Sequence, residues 1–132
     1  MRTLVLALLA LTLVGLGAGC GSDDADEADV TPAAAAAEID TIKSMLDDAL
    51  SKYEDGDAKA AEELVGDAYL EHFEEVEHPL EEADEELMED LEHTISTEIR
   101  EQIKDGAPAA EVAQLIAATK ADLDRAKAAL QG

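Results

Sequence analysis

Gly66-Asp67-Ala68-Tyr69-Leu70-Glu71-His72-Phe73-Glu74-Glu75-Val76-Glu77-His78-Pro79-Leu80 is the stretch whose reading decides the fold. Its apolar residues fall at helical spacing: Ala68, Tyr69 and Val76 continue an arc begun by Ala61, Leu64 and Val65. It ends at a proline, which cannot donate an internal helical hydrogen bond and biases His78 away from helical geometry. The stretch therefore predicts a turn at Pro79 between two antiparallel helices, with a kinked continuous helix as the alternative. It also carries the only Phe and two of the three His of the chain, so the chemistry is concentrated here.

Working outward, Asp57 is a natural N-cap for the helix that runs to about His78. Before it, Thr31-Pro32 reads as N-cap and first helical residue of a helix reaching about Tyr53. Ile39, Ile42, Leu46, Ala49, Leu50 and Tyr53 share one face of that helix, and Gly56 closes it as a left-handed cap. Beyond Pro79, a third helix spans roughly residues 80–104, with Leu80, Leu87, Met88, Leu91, Ile95, Ile99 and Ile103 on one side. Asp105-Gly106 stops it. Pro108 opens a fourth helix, which carries Val112, Leu115, Ile116, Leu123, Ala126 and Leu130 inward and ends at Gly132. No run alternates as a strand would. The expected fold is all-α: an antiparallel four-helix bundle, up-down-up-down, with a small aliphatic core and marginal stability.

The first 20 residues have a different character. Arg2 supplies one positive charge, residues 3–16 are almost wholly apolar, and Gly17-Ala18-Gly19 leads into Cys20, the sole cysteine. A charged start, a short apolar centre and a small-residue cleavage zone make a targeting segment. A lone cysteine cannot form an internal disulfide. The segment resembles bacterial and archaeal lipoprotein signals, in which the cysteine after the cleavage point receives lipid. It departs from their pattern in having Gly17 three residues before the cysteine, with Leu16 one place earlier. The expected organisation is a signal over 1–20 with lipid attachment at Cys20, an acidic tether over 21–31 and a helical domain over 32–132. That places the domain outside the cytoplasm, anchored to a membrane.

Charge narrows the function. Against 9 Lys and Arg stand 33 Asp and Glu, for a formal net charge of −24, and every carboxylate follows Cys20. A nucleic-acid binder needs the opposite sign, because Lys and Arg supply its affinity for phosphate. An acidic surface suits cations or a basic partner. It also suits high salt, where screening shortens to about 3 Å at 1 M and self-repulsion becomes tolerable.

Helical arithmetic then places the ionisable groups. With Ala68, His72 and Val76 at four-residue steps, His72 falls in the middle of the apolar arc and Glu75 at its edge. On the third helix Asp84, Glu98 and Gln102 fall among Leu87, Leu91 and Ile95. A turn at Pro79 brings His72 level with Asp84, and Glu75 level with Glu81. A buried imidazole needs partners, and two arrangements supply them. In one, His72 forms a hydrogen bond or ion pair with Asp84 or Glu75. In the other, His72, Glu75 and Asp84, with Glu71 or Glu81 beside them, form a metal site between helices for iron or another divalent cation. Glu75-x-x-His78 and Asp90-x-x-His93 have the spacing of di-iron bundles, but so acidic a chain produces that spacing by chance, and His93 points to solvent. No nucleophile stands with a base, and no glycine-rich phosphate loop occurs, so no enzymatic activity is expected.

Ala68-Tyr69-Leu70, Phe73-Glu74, Val76-Glu77 and Leu80, with Leu91-Glu92 further on, resemble a segment of the extracytoplasmic helical domains attached to, or encoded with, the high-affinity iron permease family. The resemblance covers roughly residues 60–130. The permeases' Arg-Glu-x-x-Glu element is absent, since Arg100-Glu101 continues as Gln102-Ile103-Lys104. What the resemblance implies is a detached accessory domain that concentrates iron or another cation near a membrane permease, rather than transport itself. The alternative is an acidic helical interaction or structural lipoprotein without a ligand of its own.

Overall fold

A computed structural model of the chain describes residues 30–132. The expected signal over 1–20, the lipid attachment expected at Cys20 and most of the expected acidic tether lie outside the described residues. Among the described residues the protein is helical throughout, with no strand, and no helix is long and apolar enough to cross a membrane.

Helix α1 spans Pro32–Glu54, and its start is the one the sequence predicts: Thr31 is extended, and its hydroxyl accepts from the Ala34 N–H at 3.2 Å. Ile39, Ile42, Leu46 and Ala49 are buried along one face. The helix ends in a Schellman arrangement around Gly56, at φ 88°, with Gly56 N–H bonded to Tyr53 O and Asp57 N–H to Lys52 O. Asp57 then turns donor to acceptor, its side chain capping helix α2 (Ala58–Asp67) at the Ala60 N–H. The same device recurs at Gly106, φ 73°, with Gly106 N–H bonded to Ile103 O and Ala107 N–H to Gln102 O. The Tyr53 hydroxyl donates to Ala107 O at 2.6 Å and ties these two turns into one end of the molecule.

Between them the helical segments follow one another without a loop but not in one direction. After α2 come a π-helical segment (Ala68–Phe73), helix α3 (Glu74–His93), a second π-helical segment (Thr94–Glu98) and helix α4 (Ile99–Lys104). Pro79 lies inside α3 and is buried, so the predicted turn is not there. The backbone leaves helical geometry at Asp84 instead, at φ −161° and ψ 84°, and the Asp84 carboxylate accepts from the Leu87 N–H at 3.2 Å. Val76, Pro79 and Leu80 are all buried and hold that turn helical. The next three residues, Glu81, Glu82 and Ala83, are exposed and give the helix nothing to pack. Asp84 then restarts it, as a strong N-cap followed by two glutamates at the positive end of the new helix.

The two arms, 58–83 and 85–104, lie against each other. Arg100 reaches Glu62 at 3.3 Å and the Tyr69 hydroxyl reaches Glu92 at 3.4 Å. A straight helix would separate Glu62 from Arg100 by about 57 Å at 1.5 Å per residue. Residue numbers fall on one arm as they rise on the other, so the arms are antiparallel.

Helix α5 (Ala109–Gln131) packs against α1. Its buried face is Val112, Ile116, Thr119, Leu123, Ala126 and Leu130, where Leu115 is only half-buried and the Thr119 hydroxyl satisfies itself on Leu115 O at 2.9 Å. Three ion pairs bridge the two helices: Asp40 with Lys127, Lys43 with Asp124 and Asp47 with Lys120. Their numbering runs in opposite senses, so this seam is antiparallel too. Partly exposed pairs of this kind contribute little each; their value is in fixing register.

Candidate functional site

The first π-helical segment sets the geometry of the site. Its N–H groups reach five residues back, Glu74 N–H bonding Tyr69 O, and one extra residue enters the turn. Ala68 is therefore followed into the core by Phe73 rather than by His72. Phe73 is fully buried, its ring 6.1 Å from that of Tyr69, while Leu70 is pushed outward and is 58% exposed. His72, expected mid-arc, moves to the edge of the helix, with its side chain 24% exposed.

There it meets a partner from α1. His72 Nδ1 stands 2.7 Å from Glu38 Oε2, in a groove whose walls also include Val30, Thr31, Ala34, Glu71 and Glu75. Glu71, His72 and Glu75 are thus brought together as the sequence suggests. Asp84 is not with them, because its carboxylate is spent on the Leu87 N–H at the reversal. Glu81 is exposed and stands 3.9 Å from His78, which lies equally far from Glu82. His93 faces Glu98 at 3.5 Å, both largely exposed, so Glu98 is not an inward group. Among the described residues no three or more His, Cys, Asp or Glu side chains are gathered as a metal ion would require.

Glu38 is the residue that sequence reasoning missed, although a signal was present. Gly56 is the turn between α1 and α2; Glu38 lies eighteen residues before it and His72 sixteen after it. The levelling applied across Pro79 applies equally here.

A second polar group lies at the seam of the two arms. The Tyr69 hydroxyl donates to Glu92 Oε1 at 3.4 Å, and Glu77 Oε1 is buried without a hydrogen-bond partner. Burial, and then the charge of Glu92, push the Glu77 carboxyl above its ordinary value. Burial pushes the Tyr69 hydroxyl up to about 12, with the Glu77 and Glu92 charges adding to it. Neither group is a base or nucleophile in a cleft.

The widest feature is the distribution of charge. Residues 60–99 contain sixteen Asp and Glu and no Lys or Arg. Lys43, Lys120 and Lys127 are drawn into the seam between α1 and α5, Arg125 pairs with Asp122 on α5 itself, and Lys59 and Arg100, which flank the stretch, pair with Glu63 and Glu62. Among the described residues, the outer faces of both arms around Pro79 and Asp84 thus present carboxylates whose ion-pair partners are His78 and His93. Comparison with protein-family models, with curated proteins and with solved structures finds no match to this chain.

Proposed function

We propose that this chain is a lipid-anchored, extracytoplasmic accessory module that offers its acidic hairpin to a basic surface on a membrane partner. One observation carries the reading: forty consecutive residues, 60–99, form most of two antiparallel arms and hold sixteen carboxylates but no lysine or arginine, and the flanking Lys59 and Arg100 answer Glu63 and Glu62. Such a surface raises the local concentration of cationic partners and speeds their encounter. Counting the arms separately gives the antiparallel, up-down-up-down four-helix bundle, a reading supported by the non-helical Asp84 and the Glu62–Arg100 bridge. Cys20 supplies the membrane attachment, and the permease resemblance supplies the class of partner: a membrane complex handling iron or another cation. The role proposed is binding, not catalysis.

Two measurements on residues 21–132 separate this from its rival. Exchanging Glu81, Glu82, Glu85 and Glu86 for Gln is expected to weaken binding to a basic partner surface and to reduce its salt dependence. Unchanged binding would refute the docking role. A divalent ion bound near-stoichiometrically and lost in His72→Ala would instead make the protein a cation-binding accessory.

A further inference from the structure

The orphaned oxygen of Glu77 is a physical problem that the docking role does not absorb. A buried carboxylate oxygen without a donor is costly unless the charge is removed. The ionisable groups acting on Glu77 are Glu92 on the opposite arm, Tyr69 on the first π-helical segment, and Glu74 and Glu81 on its own helix. Four of these five groups, Glu77 included, are carboxylates. The only donor among them, the Tyr69 hydroxyl, is shared between Glu92, at 3.4 Å, and Glu77, and it still leaves Glu77 Oε1 without a partner.

We infer that Glu77 is a proton latch of the hairpin: its buried, unpartnered oxygen at the seam is better accommodated in a protonated carboxyl, and ionisation loosens the two arms. The direction of its titration agrees: burial first and then the Glu92 charge favour the protonated form, and the smaller opposing effect of the Tyr69 hydrogen bond does not reverse them. The sign follows by linkage. A carboxyl that holds its proton more tightly folded than unfolded stabilises fully below the unfolded value, about 4.3, and loses that stabilisation as pH rises through the folded value. The hairpin that presents the acidic surface thus tightens as its surroundings acidify and relaxes as they become alkaline.

The test is the carboxyl carbon titration of Glu77 by NMR, with thermal midpoints of the full chain between pH 4 and 8. Three variants go beside it: Glu77→Gln, Glu92→Gln, and Glu85→Gln as an exposed control that removes the same unit of charge. Glu77 is expected to titrate above about 4.3. Its midpoint should move down in Glu92→Gln and stay in place in Glu85→Gln. Glu77→Gln is expected to raise the thermal midpoint at pH 8 more than Glu85→Gln does, and to match the parent near pH 4. A Glu77 titration at the ordinary value would overturn the latch, as would pH profiles equal in Glu77→Gln and Glu85→Gln. So would stabilisation by calcium or magnesium at pH 8 that Glu77→Gln abolishes, because the seam would then hold a cation rather than a proton.

Discussion

Asp84→Ala is the substitution that most sharply separates the observed chain reversal from the one the sequence predicts. In the structure the Asp84 carboxylate is the N-cap of arm 85–104, bonded to the Leu87 N–H at 3.2 Å. Loss of such a cap costs about 1 kcal/mol, within a range of 0.5–2. Removing one negative charge from so acidic a hairpin works the other way, by a few tenths of a kcal/mol for an exposed site. The net expectation is a loss of about 0.5–1.5 kcal/mol. For a domain of this size that lowers Tm by roughly 4–8 °C per kcal/mol. Asp84→Asn keeps the acceptor and sheds the charge, so it should equal or exceed the parent. Pro79→Ala should cost little, because Pro79 sits within a helix and is not the reversal. Thermal melts followed by circular dichroism read all three. The reasoning fails if Asp84→Ala and Asp84→Asn melt together, or if Pro79→Ala is the most damaging.

Other perturbations have equally definite outcomes. Phe73→Ala empties the largest fully buried side chain and should cost about 3–5 kcal/mol, whereas Leu70→Ala, one turn away and 58% exposed, should stay within about 0.5 kcal/mol; urea midpoints with unchanged slopes would show it. His72→Ala breaks the pairing with Glu38, and since both side chains are partly exposed the loss should not exceed about 1 kcal/mol. Gly106→Ala places a Cβ at φ 73°, where no neighbour obstructs it, so a cost of about 1 kcal/mol would come from backbone strain alone, measurable by denaturant titration.

How far the fold could be read from the sequence depends on the kind of signal. Thr31-Pro32, Asp57, Gly56 and Asp105-Gly106 are local devices whose chemistry needs no tertiary information, and each sits where its residue type predicts. The aliphatic stripes Ile39-Ile42-Leu46 and Leu91-Ile95-Ile99-Ile103 are buried as their spacing requires. Sequence puts the reversal at Pro79 because proline is the louder breaker, while Asp84-Glu85-Glu86-Leu87, a cap with an acidic first turn, carries the quieter and decisive start signal. His72 departs from its expected position for a different reason. Facing arithmetic assumes 3.6 residues per turn, and the π-helical turn at 68–73 adds a residue that substitutes Phe73 for it in the core. Nothing in Ala68-Tyr69-Leu70-Glu71-His72 announces that extra residue. Only the gain from burying Phe73, in a chain with so little aromatic mass, rationalises it.

Site-specific photocrosslinking in the native membrane tests most directly the proposal that the acidic arms are a docking surface. Probes at Leu70 and Glu85, on the arms, are to be compared with a probe at Ala117 on the exposed side of α5. The account predicts one membrane partner crosslinked from both arm positions, absent from position 117, and lost when Glu81, Glu82, Glu85 and Glu86 are exchanged for Gln. Equal capture from all three positions, or capture indifferent to those exchanges, would contradict it.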